Sequence, residues 1–97
     1  MISVPQNILM KFLRNSVLKN EYYIVLINCE VGKEKSVLVE LKSLESVKEI
    51  SGLFGSYDII VKLEAASEEK LKEIVLSKIR NLKKIRTTVT LSVKETL

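Results

Sequence analysis

Residues 46–65 read SVKEISGLFGSYDIIVKLEA, and this stretch decides the fold. Val47, Ile50, Leu53 and Phe54 mark Ser46–Phe54 as extended, and the change of parity after Val47 predicts a bulge or a local twist. Gly55-Ser56 is a Gly-first dipeptide suited to a two-residue hairpin turn, because glycine accepts positive φ there. The returning strand, Tyr57–Ala65, alternates Ile59, Val61 and Leu63 with Asp58, Ile60, Lys62 and Glu64. The middle of the chain is therefore a hairpin, and its flanks fix the topology.

Upstream, Lys33–Leu44 places Val37, Leu38, Leu41 and Leu44 at helical spacing among Lys and Glu, which predicts an amphipathic helix. Before it, Glu30-Val31-Gly32 turns the chain, and Tyr22–Cys29 is aromatic and β-branched with almost no polar interruption. That character predicts a strand covered on both faces. Downstream, Ser67 has the chemistry of an N-cap, and Glu68 and Glu69 follow in the first turn, where acids favour the helix dipole. Leu71, Ile74, Val75, Ile79 and Leu82 form the stripe of a second helix. Thr87–Val93 then alternates Val89, Leu91 and Val93 with Thr88, Thr90 and Ser92, a fourth strand.

The order β-α-β-β-α-β is that of the ferredoxin-like α+β fold, a four-stranded antiparallel sheet. Right-handed crossovers put both helices on one face of the sheet. The opposite face is then expected to have no cover from this chain. The first strand offers apolar side chains on both sides, and Ile60 points away from the helices if Ile59 and Val61 point toward them. An exposed apolar patch of that kind marks an interface, so the sequence predicts a dimer paired through the sheet, two-fold symmetry being the simplest closed arrangement.

Residues 1–20 read as an N-terminal extension to a domain over residues 21–97. Pro5 suits the first position of a short helix, and Ile8, Leu9, Phe12, Leu13 and Val17 make one apolar stripe with Lys11, Arg14 and Lys19 nearby. Docking on the dimer and lying on a membrane surface are both open to such a helix; its weakly charged polar face favours docking.

Composition narrows the chemistry. Ninety-seven residues and 11.0 kDa make one domain. There is no His and no Trp, and the one thiol is Cys29. A structural zinc site and a Ser–His or Cys–His nucleophile are both excluded, no metal or other cofactor is expected, and one cysteine makes no internal disulfide. The longest stretch without a charged side chain, Met1–Met10, is far short of the ~20 apolar residues that span a bilayer, and it lacks the basic start and long apolar block of a signal peptide. Cytoplasmic residence is the resulting expectation.

The net charge of +4 is uneven, with five basic residues and no acid within Lys78–Arg86. Such a patch suits nucleic acid; Lys78 and Arg80 also suit the last turn of a helix, where cations meet the negative end of the dipole.

The strand opening Tyr22-Tyr-Ile-Val-Leu-Ile-Asn28, Gly32-Lys33-Glu34 at a helix start and Val47-Lys48-Glu49-Ile50 before the hairpin together resemble the effector domain of the Lrp/AsnC family. Tyr57-Asp58-Ile59-Ile60-Val61-Lys62 and Ile85-Arg86-Thr87-Thr88-Val89-Thr90-Leu91 extend the likeness over about Tyr22–Lys94. This module is also called the RAM domain (regulation of amino acid metabolism). Members of the family carry a DNA-binding helix-turn-helix ahead of it. The twenty residues before the first strand are too few for one, so the chain looks like a stand-alone effector module with no sequence-specific DNA binding of its own.

The resemblance implies dimers that assemble further, small amino acids bound at contacts between dimers, and full-length Lrp/AsnC regulators as partners. Carried over by position, Gly55, Ser56, Tyr57 and Asp58 of the hairpin and Thr87, Thr88 and Thr90 of the last strand would line the effector site. Asp58 would take the ligand ammonium, and turn amides with threonine hydroxyls the carboxylate. Each residue also has an ordinary structural use: Gly55 in the turn, Asp58 on local amides, Tyr57 in packing, Thr88 and Thr90 as strand formers. The leading expectation is thus a non-enzymatic, oligomeric amino-acid sensor.

Two other functions share the topology. A small hydrolase or cofactor-free oxygenase would lack an imidazole base, and Asn28-Cys29-Glu30-Val31-Gly32-Lys33 is no acylphosphatase-type phosphate loop. An RNA-recognition domain displays aromatics on its middle strands, whereas Asp58–Glu64 has none. Nucleic-acid binding by the Lys78–Arg86 patch is the alternative that stays open.

Overall fold

The computed structural model describes residues 4–14 and 21–93. A short helix α1 (Gln6–Arg14) precedes β1 (Glu21–Cys29); α2 (Glu34–Lys42), β2 (Val47–Gly52), β3 (Ile59–Ala65), α3 (Glu68–Ile74) and β4 (Ile85–Val93) follow. The four strands form one antiparallel sheet in the order β2-β3-β1-β4, the expected ferredoxin-like arrangement. The two central strands are the most hydrophobic, and Tyr23–Ile27 and Ile59–Glu64 are buried without interruption.

One face of the sheet is the inner face. Tyr23, Val25 and Ile27 of β1 and Ile59, Val61 and Leu63 of β3 meet Val37 and Leu41 of α2 and Leu71 and Ile74 of α3. Ser67 caps α3 as expected, its hydroxyl accepting from the Lys70 N–H at 3.2 Å. Beyond Ile74 the helix widens into a π-helical turn, Val75–Ile79, closed by the Arg80 N–H donating to the Val75 carbonyl at 3.0 Å. Val75 and Ile79 at its two ends both lie in the core.

Two bulges shape the strands. On β2, Val47 opposes Leu63 and Glu49 opposes Lys62, which leaves Lys48 as the extra residue where the parity of the sequence changes. On β4, Asn28 opposes Thr87 while Cys29 opposes Ile85, and Arg86 is the extra residue. The strand expected to begin at Thr87 thus begins two residues earlier, across this bulge.

The hairpin departs from expectation. Gly52 pairs with Ile59, so residues 53–58 connect the strands in place of a two-residue turn at Gly55-Ser56. Asp58 accounts for the difference. Its N–H donates to the Ile27 carbonyl at 2.9 Å and its carbonyl accepts from the Leu53 N–H at 2.8 Å. Gly55 keeps a positive φ of 122°, so a glycine is still required there.

The outer face also departs from expectation, for it is covered by the chain itself. Val4, Ile8 and Leu9 of the α1 region pack on a second cluster of Ile24, Leu26 and Ile60, whose members are at most 1% exposed. The predicted helix in the extension is therefore seated on its own sheet. Of its predicted stripe, Val17 lies outside the described residues, as does Lys19, and the described side chains do not include Phe12 and Leu13. Lys62 shares the outer face, opposite Ile24; it is 1% exposed, with its Nζ 4.7 Å from the centre of the Tyr22 ring, a contact that partly replaces the water a buried cation loses.

Candidate functional site

A surface cleft of about 330 Å³ opens where the C-terminal end of β1 meets the β2–β3 connection and the start of β4. Its volume is in the range that holds a small molecule. Three elements build it for separable reasons. The end of β1 contributes Asn28 and Cys29, fixed on one side by the Glu30 N–H donating to the Lys84 carbonyl at 2.8 Å. The β2–β3 connection contributes Ser56 and Asp58. From β4 come Arg86 and Thr87, and the bulge lets Arg86 leave the strand's alternation and face the cleft. Val31 and Glu34 close the side next to α2; the tight turn before that helix needs the positive φ of Gly32, 82°.

Asp58 is the hinge of the arrangement. Its carboxylate accepts from the Cys29 N–H at 2.9 Å and lies 3.7 Å from the Cys29 Sγ. Burial, and then the negative charges of Asp58 and Glu34, pushes the Cys29 thiol from 9.0 up to about 11. Cys29 is therefore a buried neutral thiol, unsuited to act as a nucleophile at neutral pH. The cleft sets two carboxylates, Asp58 and Glu34, and one guanidinium, Arg86, around hydroxyls of Ser56 and Thr87. Such a set can hold a small molecule bearing charges of both signs. Among the described residues no group of His, Cys, Asp and Glu could hold a metal ion.

Of the seven residues expected at an effector site, the structure brings Ser56, Asp58 and Thr87 together in the cleft. Gly55 shapes the same connection through its backbone. Tyr57 packs instead on the outer cluster with Ile24 and Ile60. Thr88 and Thr90 oppose Ile27 and Val25 and so lie on the inner side of the edge strand, away from the cleft lining. Sequence reasoning missed Asn28, Cys29, Val31, Glu34 and Arg86 as lining residues. For Arg86 the signal was faint: Ile85 packs on the inner face while Val89 and Leu91, of the same parity, pack on the outer one.

The Lys78–Arg86 patch is divided in the fold. The Lys84 ammonium donates to the Ser36 hydroxyl and to a Glu40 carboxylate oxygen at 3.4 Å, and Arg86 belongs to the cleft. Lys78, Arg80 and Lys83 stay exposed. No helix among the described residues is long and apolar enough to cross a membrane.

Comparison with known proteins bears on the same region. Residues 23–97 match the family profile of the Lrp/AsnC ligand binding domain. The chain is 33% identical over 58 residues to an uncharacterized HTH-type transcriptional regulator of Pyrococcus furiosus; the match covers 60% of this chain and 39% of the regulator. The chain thus spans well under half the length of that relative. FFRP-DM1 shares the fold with a TM-score of 0.75 at 31% identity, over 76% of this chain and 99% of that one. AsnC of Escherichia coli does so with a TM-score of 0.71 at 26% identity, over 99% of this chain and 60% of that one.

Proposed function

This chain belongs to the Lrp/AsnC ligand-binding domain family, and from that premise we propose that it is a non-enzymatic, cytoplasmic module that binds a small amino acid in the cleft between β1 and β4. The observation that carries the reading is the pairing of opposite charges across about 330 Å³, with Arg86 on one strand and Asp58 and Glu34 on neighbouring elements. In this reading the ligand carboxylate lies against Arg86, supported by the Ser56 and Thr87 hydroxyls. The ammonium lies on the acidic side, where Asp58 is already oriented by the Cys29 amide. Gly55 holds the connection in shape. Tyr57, Thr88 and Thr90 act from outside the cleft, Tyr57 through the outer face and the two threonines through the β4 edge. In this reading the module self-associates through the outer face of the sheet and influences full-length regulators by joining their assemblies.

Melting measured with a panel of amino acids tests the proposal. A cognate amino acid raises the melting temperature by an amount that grows as RT ln(1 + [L]/Kd). Arg86→Ala, an exposed position whose loss leaves the core intact, abolishes that rise without lowering the ligand-free melting temperature. If no amino acid shifts melting at millimolar concentration, or if Arg86→Ala responds like the parent, the amino-acid reading is wrong.

A further inference from the structure

The outer face of the sheet has a cover that a dimer must remove. Ile24, Leu26 and Ile60 are fully buried although α2 and α3 lie on the other side, and the α1 region supplies Val4, Ile8 and Leu9 against them. An α-helix with its side chains is about 10–12 Å across, whereas two sheets packed face to face stand about 10 Å apart. No room for a helix is left between two sheets so paired. The same three aliphatic side chains of β1 and β3 therefore contact either α1 or a second subunit.

Among the described residues the hold of α1 is shallow. It is a nine-residue helix with no acidic residue in its first turn, below the length at which an isolated helix is stable. Ile8 and Leu9 are only half-buried, and Met10 is 52% exposed. Lys62 does not oppose exchange, because it rests on Tyr22 of its own subunit. The face can change its cover without stranding that charge.

We propose that α1 is a displaceable cover of the self-association surface: it and a second copy of this chain compete for Ile24, Leu26 and Ile60, and its release sets the fraction of paired subunits. The inference rests on self-association through the outer face, as given above, and adds the element that controls it. A competing cover lowers the apparent affinity of pairing by the fraction of subunits in which it is open, so weakening the cover tightens the pair.

The test uses the full chain carrying Ile8→Asp and Leu9→Asp, which burden α1 and leave the sheet untouched. Sedimentation equilibrium is expected to give a dimer dissociation constant at least about tenfold tighter than the parent's. Hydrogen exchange on the parent provides a second readout that needs no substitution: amides of α1 lose protection as protein concentration rises, while those of β1 keep it. A dissociation constant that is unchanged or weaker in the variant overturns the competition. So does α1 protection that rises with concentration, which would mean that the helix belongs to the paired interface. Parent and variant both monomeric at every concentration would overturn self-association through this face and the competition with it, and would leave the amino-acid response to stand or fall separately.

Discussion

Asp58 and Cys29 show how much one carboxylate does here. The Asp58 side chain fixes the end of β1 through the Cys29 amide, and its backbone closes the β2–β3 connection on both sides. Its charge also adds to burial in holding the Cys29 proton. A thiol whose value is 9.0 when unfolded and about 11 when folded binds its proton more tightly in the native state. Its contribution to stability is complete below about pH 9 and is lost as pH rises through about 11. Cys29→Ala is therefore expected to flatten the decline in stability across that window, measured by urea unfolding at successive pH values, with the parent steeper. Sequence reasoning reached Asp58 through the family resemblance and gave it two uses, a ligand ammonium or amides close by in the chain. The bond to Cys29 joins residues 29 positions apart, and no local pattern announces a contact of that range.

At the scale of elements, what the sequence makes legible is what depends on neighbours along the chain. The N-cap at Ser67 is one such feature, and its hydroxyl bond to Lys70 N–H is present. Ser67→Ala is expected to cost about 1 kcal/mol, read as a lower urea midpoint with an unchanged slope. The bulge at Lys48 is another, because the apolar residues of β2 change parity within the strand itself. Arg86 is the counter-example. Its bulge lies at the start of β4, where Ile85 alone carries the earlier phase, and a strand read from Thr87 onward alternates without fault. The π-helical turn at Val75–Ile79 has the same standing: apolar residues at 71, 74, 75 and 79 satisfy an ordinary helix, and no local pattern announces the widening. The length of the β2–β3 connection was likewise decided by Asp58 reaching across to β1, against the local preference of Gly55-Ser56 for a shorter turn.

For the whole molecule, burial rather than topology is what the sequence leaves open. The sheet, its strand order and its two-sided hydrophobicity follow from the alternating and continuous apolar runs. That the α1 region packs on the outer face does not, since an amphipathic stripe says only that a helix has an apolar side. The division of the basic patch is of the same kind: Lys84 turns toward Glu40, and Arg86 toward the cleft. Charge runs in sequence are thus poor guides to charge on a surface.

Phe54 lies 99% exposed on the connection that also carries Ser56 and Asp58, in a chain that contains no tryptophan. An indole introduced there by Phe54→Trp displaces nothing, and excitation to the red of the three tyrosines singles out its emission. Its fluorescence is expected to shift on titration with a bound amino acid and to stay constant with one that melting shows to be inert. The loop tip thereby becomes an optical handle on cleft occupancy.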